Sequence, residues 1–209
     1  MAKPILVFDF DGTLVDSLEL TRKVLNRIAD EYGFKKVEKS DLGKLRGGST
    51  MEVLKELGIS LFKLPFIVAR ARKEKNAEIE SLGLVSGIAE VLPSLKEQGV
   101  PMGILTSDAE ENVRQFFNKN NINVFDFIYS GSSILGKDKA IKKLLKERKL
   151  SFSEVIYVGD ETRDVDAAKK AGVRVVAVSW GFNTEEVLKK HNPDWLIKKP
   201  GELLDFAKM

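Results

Sequence analysis

The sequence predicts an α/β protein: a doubly wound parallel sheet interrupted near its start by a small helical domain. Three observations predict it. Residues 5–8 are four consecutive apolar residues, Ile5, Leu6, Val7 and Phe8, the pattern of a strand buried on both faces. From residue 83 onward, apolar strands alternate with helical stretches, which implies right-handed βαβ crossovers and a parallel sheet. Between these regions, nothing in residues 17–82 alternates like a strand. The expected organisation is a core built from residues 1–16 and 83–209, with a helical cap inserted at residues 17–82.

In chain order, Asp16 and Ser17 form a helix-capping pair ahead of residues 18–32, where Leu18, Val24, Leu25, Ile28, Ala29 and Tyr32 recur at helical spacing and Gly33 ends the run. Residues 35–48 are polar and broken by Gly43, Gly47 and Gly48, a short helix or loop. Ser49 or Thr50 caps a helix over 51–57, and Gly58 closes it. Residues 61–80 are helical, with Pro65 near the first turn. In the second region, strands are expected at 100–106, 125–130, 155–158, 173–179 and 195–197. The expected helices lie after Gly87 to residue 98, to about 118 behind a capping box from Ser107 or Asp108, at 138–148, from Thr162 to Gly172, at 184–190 and at 201–207. A glycine–serine turn is expected after the strand at 125–130. Phe116, Phe117, Phe125 and Phe127 read as core, and the lone histidine, His191, as a surface residue.

Composition narrows the function. The 209 residues carry 34 Lys and Arg against 31 Asp and Glu, a net charge of +3 with no long run of either sign. A nucleic-acid footprint needs clustered positive charge, so no nucleic-acid partner is expected. No apolar run reaches the ~18 residues of a membrane span, and the N-terminus carries one Lys and goes straight into a strand, so no signal peptide is expected. With no cysteine there is no disulfide, thiolate metal site or cysteine nucleophile. A cytoplasmic location, no membrane partner, and a monomer or homodimer are the expectations.

Ligands of a doubly wound sheet bind beyond the carboxyl ends of its strands. The polar residues at those ends are Asp9 and Asp11 after the first strand, Thr106 and Ser107 after the second, Lys137 after the third, and Asp160, Glu161 and Asp164 after the fourth. Asp9 and Asp11 alternate on extended backbone and so point the same way, and Gly12 lets the chain turn away behind them. Paired carboxylates at a buried strand end imply a bound cation or a shifted pKa. Lys139 competes with Lys137; Lys137 is preferred because it sits nearer the strand end.

Asp9-Phe10-Asp11-Gly12-Thr13-Leu14 resembles the first motif of the haloacid dehalogenase superfamily. Thr106, Lys137 and the acidic run at 160–164 follow the order of its other three motifs. The resemblance covers residues 3–166 and looks closest to its capped, phosphoglycolate-phosphatase-like branch. It implies a Rossmann-like core and an Mg²⁺-dependent phosphatase acting on a small phosphorylated metabolite, phosphoglycolate first among them. Asp9 is then the nucleophile that forms an aspartyl phosphate, and Asp11 the general acid and base. Asp9, Asp11 (through its backbone carbonyl), Asp160 and Asp164 are the metal set, all oxygen as Mg²⁺ prefers, with Asp164 orienting Mg²⁺-bound water or Lys137. Thr106, Ser107 and Lys137 bind the phosphoryl group. Glu161 sits where the family pattern is open.

Positive charge is essential to such a site. A carboxylate meeting a phosphate at ~4 Å costs about 4 kcal/mol per pair of unit like charges at an effective dielectric near 20. Asp11 sets the chain apart from the haloacid dehalogenases themselves, which resemble it in fold but have no second aspartate. A phosphonate hydrolase of this type needs a Schiff-base lysine from the cap, where Lys23 and Lys44 are available. A sugar-phosphate mutase shares all four motifs, and a non-catalytic binding protein on the same scaffold is the reading from another class. Arg46, flanked by Gly47 and Gly48, is the expected contact to a substrate's distal anion, with an ordinary surface turn as its alternative.

Overall fold

The computed structural model describes residues 3–131 and 136–209. The first strand, β1 (Ile5–Phe8), is followed by a two-residue strand β2 (Val15–Asp16) and then by four helices, α1 (Leu18–Tyr32), α2 (Leu42–Arg46), α3 (Thr50–Leu57) and α4 (Leu64–Asn76). The chain re-enters through β3 (Gly83–Leu84) and continues as α5 (Ile88–Glu97), β4 (Met102–Thr106), α6 (Glu110–Lys119) and β5 (Phe127–Ser130). It ends with α7 (Lys137–Arg148), β6 (Val155–Gly159), α8 (Thr162–Ala171), β7 (Arg174–Val178), α9 (Glu185–Lys190) and β8 (Trp195–Ile197), closed by a 3₁₀ helix over Pro200–Lys208.

Six strands form one parallel sheet in the order β5-β4-β1-β6-β7-β8. Leu6 pairs with Met102 on one side and with Ile156 on the other. The chain winds outward from β1 through β4 to β5, then returns to lay down β6, β7 and β8 on the opposite side. β1 is therefore the topological switch point, and the crevice at its carboxyl end lies between β4 and β6. The apolar run in β1 has a direct cause. Leu6 and Phe8 pack with Phe10, Ile104, Val158 and Phe116 on one face, whereas Val7 packs with Leu105, Tyr157, Ile141 and Val165 on the other. Phe116 and Phe117 stack edge-on against Phe10, with ring centroids 5.4 and 5.8 Å away, so this aromatic cluster is core as expected.

The helical insert has an apolar cluster of its own, including Ile28, Ala29, Leu54, Leu57, Leu64 and Ile67. α1 has the predicted span and stops at Gly33 in the left-handed region, φ 71°. One feature was absent from the sequence expectations. β2 and β3 pair antiparallel, Val15 with Leu84 and Asp16 with Gly83, and tie the two connections between insert and sheet together.

Three capping expectations are corrected. Ser17 stands at the α1 N-cap but makes no side-chain capping bond, and Asp16 belongs to β2. Neither Ser107 nor Asp108 caps α6: Ala109 stands at its N-cap with no side-chain hydrogen bond, because the Asp108 carboxylate is engaged by an ammonium group from the insert. α8 is capped at Glu161, not Thr162, and Asp164 Oδ2 accepts from the Glu161 N–H at 3.0 Å. The helix expected over 61–80 starts only at Leu64 and gives way to a 3₁₀ turn over Ile79–Ser81. Most of the expected glycine–serine turn, at 132–135, lies outside the described residues. No helix among the described residues is long and apolar enough to cross a membrane.

Candidate active site

Asp9 follows β1 directly, and its backbone N–H donates to Val158 O at 2.8 Å, extending the β1–β6 ladder by one residue. Asp160 follows β6, and Asp164 lies in the first turn of α8. Ligand oxygens of Asp9, Asp160 and Asp164 all lie within 4.8 Å of one another, and the three residues are 6%, 0% and 0% exposed. Lys137, at the start of α7, is 3% exposed; its Nζ donates to Asp9 Oδ2 at 2.6 Å and to Asp164 Oδ1. Lys139 is exposed.

Asp160 is held from two directions. Thr13 Oγ1 donates to its Oδ1 at 2.7 Å, and the Phe182 N–H donates to its Oδ2 at 2.6 Å. Glycines make the room: a Cβ on Gly12, at φ +74°, or on Gly181 would stand 2.3 or 2.2 Å from Asp160 Oδ2. Trp180 Nε1 donates to Thr13 O at 3.0 Å, fastening the β7 loop to the Asp-Gly-Thr turn. The Trp180-Gly181-Phe182 sequence thus serves packing and the Asp160 cradle together.

Burial pushes the Asp9 carboxyl up to about 6, against the opposing pull of Lys137. Burial, and then the charges of Glu161, Asp164 and Asp9, push Asp160 well above the usual carboxylate range. Burial acts against the charge on Lys137, but Asp164 and Asp9 outweigh it and hold the ammonium well above its ordinary pKa. Three buried carboxylates face one ammonium, and the adjacent Arg163 is paired with Glu161, so a deficit of positive charge remains. A hard divalent cation with oxygen ligands fits this donor set.

The Asp11 carboxylate takes no part in that cluster. Its Oδ2 accepts from Lys75 Nζ, a group on α4 of the insert, and Lys75 Nζ also donates to Asp108 Oδ2 at 2.6 Å. The second oxygen of each, Asp11 Oδ1 and Asp108 Oδ1, is buried without a hydrogen-bond partner. Burial raises the Asp11 pKa, but Lys75 more than reverses this and the net shift is downward. Asp108 moves upward, through burial and then the charge of Asp11. Lys75 itself, despite burial, is held above its ordinary value by the two carboxylates. It is a fixed cation, whereas a Schiff-base lysine must be a neutral amine. Lys44 pairs with Glu56 at the surface and Lys23 is exposed, so neither offers that chemistry.

Thr106 is buried at the end of β4, where its Oγ1 accepts from the Asp108 N–H at 3.0 Å and keeps its own hydrogen free to donate. Ser107 is half-buried and lines a cavity of about 300 Å³ that also touches Asp11, Lys75, Asp108, Glu161, Arg163 and Arg46. Arg46 turns its guanidinium to the core, donating to Gly181 O at 2.8 Å and Phe182 O at 3.3 Å. Its own carbonyl accepts from Thr184 N and Asn183 Nδ2. Arg46 is thus a clasp between the insert and the β7 loop. Lys75 and Asp108 were missed in the sequence.

A family model described as haloacid dehalogenase-like hydrolase matches residues 6–178. A phosphoglycolate phosphatase of Synechococcus elongatus is 34% identical over 200 residues, covering 95% of this chain and 94% of its own. A putative pyrophosphatase PpaX of Caldanaerobacter subterraneus is 26% identical over 207 residues, covering 97% and 94%. Among solved structures, a haloacid dehalogenase-like hydrolase from Streptococcus pneumoniae superimposes with a TM-score of 0.78 at 25% identity, covering 98% of both chains. A predicted phosphatase from Clostridium acetobutylicum matches the fold over the whole of both chains, with a TM-score of 0.83 at 21% identity.

Proposed function

The chain belongs to the haloacid dehalogenase-like hydrolases, as a phosphatase of that family, and from that premise we propose that it is an Mg²⁺-dependent enzyme hydrolysing a small phosphorylated metabolite through an aspartyl phosphate on Asp9. Phosphoglycolate is the first substrate to assay, since it is the one in the name of the 34% identical relative. The observation that carries the reading is the convergence of Asp9, Asp160, Asp164 and Lys137 at the switch point of the sheet.

Each residue has a task in this reading. An Asp9 oxygen attacks phosphorus as the ester oxygen leaves, and Asp11 protonates that oxygen. Asp11 then takes a proton from water as the water oxygen attacks the aspartyl phosphate, releasing phosphate and restoring Asp9. Lys137 and the Thr106 hydroxyl hold phosphoryl oxygens. Asp160 and Asp164 would hold Mg²⁺ together with Asp9. The ion, when bound, supplies positive charge against the phosphoryl oxygens. Lys75 sets the state of Asp11: paired with it, the acid is held ionised, and an arriving phosphate dianion draws the ammonium away and favours proton uptake. Residues 17–82 act as a cap whose Lys75 reports closure to the acid. Hydrolysis of p-nitrophenyl phosphate and phosphoglycolate, with and without Mg²⁺, tests the reading. Turnover undiminished after metal removal, or in Asp9→Asn, would sink it.

A further inference from the structure

The cavity beside Asp11 has two kinds of wall. Asp11, Lys75 and Asp108 line it together with the guanidinium-bearing residues Arg22, Arg46, Arg72 and Arg163. Most of its exposed wall is apolar and belongs to the helical insert, including Leu25, Leu42, Leu45, Val53, Val68 and Ala71. These six pack on the apolar cluster of the insert yet are only half-buried, so the insert does not fill its own centre. An apolar hollow of about 300 Å³ that opens to solvent exposes apolar surface to water, and such a concavity marks a ligand site. Its volume matches the lower end of small-molecule pockets, and an exposed wall that is mostly apolar and interrupted by polar and charged groups is their usual chemistry. Continuity with Asp11 identifies the occupant as the part of the substrate attached to the phosphate.

We propose that this cavity receives the leaving alcohol, and that the preferred substrates are phosphomonoesters whose alcohol carries an apolar body instead of a short polar acid such as glycolate. The inference rests on the phosphomonoesterase reading above and specifies its substrate class. At roughly 30 Å³ for a water-sized group, the cavity takes a body of about ten non-hydrogen atoms. Glycolate is far smaller and leaves the apolar wall uncovered.

The test is a chain-length series. kcat/KM for n-alkyl phosphates from ethyl to octyl, with phosphoglycolate as reference, should rise about three- to fourfold per methylene, the factor that burying one methylene supplies. Binding of the matching n-alkylphosphonates, measured by calorimetry, should tighten by a similar step without any turnover. Ala71→Phe narrows the hollow and should flatten both series; Val53→Met is the second variant should the first fail to fold. A flat or falling series in an enzyme that hydrolyses ethyl phosphate overturns the proposal, as does a folded Ala71→Phe variant that keeps the full slope. If no phosphomonoester is hydrolysed at all, the phosphatase reading fails. The phosphonate series then still decides whether the cavity selects apolar chains.

Discussion

Replacing Lys75 by Met removes the one ammonium that bridges Asp11 and Asp108, while keeping most of the side-chain volume on α4. Both carboxylates touch the same nitrogen, so they stand within about 5 Å of each other; at an effective dielectric near 20 their mutual repulsion is about 3 kcal/mol. The buried Ser17 hydroxyl beside Asp11 is a neutral donor and does not replace the lost charge. Breaking a buried ion pair by removing one partner typically costs about 3–5 kcal/mol. The Lys75→Met enzyme should therefore melt at a clearly lower temperature. The protein relieves the repulsion by protonating a carboxyl, and Asp11, freed of the ammonium that lowered it, should titrate upward. Asp11 acts as a proton donor in the first chemical step and pairs with Lys75 in the free enzyme, so the alkaline limb of the kcat/KM profile should move to higher pH. The assays are a pH–rate profile with p-nitrophenyl phosphate and a melting curve. An unchanged alkaline limb in a folded Lys75→Met enzyme would refute the claim that Lys75 sets the protonation of Asp11. Asp108→Asn provides the control, since it removes the competing carboxylate and should raise the stability of the Met variant.

Asp9→Asn should lower turnover by about 10³-fold or more in steady-state kinetics, with the fold intact by circular dichroism, because Asp9 is the carboxylate that directly follows the central strand and pairs with Lys137. Between pH 4 and about 6 the folded protein without Mg²⁺ binds more protons at Asp9 than the unfolded chain does, so its stability should fall as pH rises through that window. The shift from 3.8 to about 6 sets the loss at about 3 kcal/mol. Mg²⁺ neutralises the carboxylates once they ionise, and should accordingly raise the melting temperature more at pH 7.5 than at pH 5. Arg46→Ala should reduce kcat/KM for phosphoglycolate and p-nitrophenyl phosphate by similar factors of about ten, because its guanidinium supports the loop around Asp160. A loss confined to phosphoglycolate would instead assign Arg46 to the substrate's distal anion.

The sequence disclosed whatever depends on local backbone pattern. The β1 apolar run, the Asp9–Asp11 alternation and the ordering of polar residues at strand ends each follow from a period of two and a parallel sheet, and the sheet order then brings Asp9, Asp160 and Asp164 within 4.8 Å. Nearness to the strand end favoured Lys137 over Lys139, and side-chain direction agrees, since both lie in one basic helix and the former reaches Asp9 while Lys139 is exposed. Lys75 was hidden differently. It ends the run Arg70-Ala71-Arg72-Lys73-Glu74-Lys75, where charge alone marks a solvated face. Yet Leu64, Val68, Ala71 and Lys75 follow one another at spacings of four, three and four, so Lys75 continues the apolar stripe of α4. A lysine in line with a buried stripe must find a buried anion, and that geometry was available from the sequence. Asp108 carried a parallel signal, standing two residues past Thr106 as Asp11 stands two past Asp9. The two signals imply each other. A cation on the inner stripe of an insert can be neutralised only by carboxylates on the strand ends that the insert covers, and the β1 and β4 ends supply one each, Asp11 and Asp108. The hollow inside the insert had no such counterpart, because periodicity shows which side chains turn inward and says nothing of whether they meet.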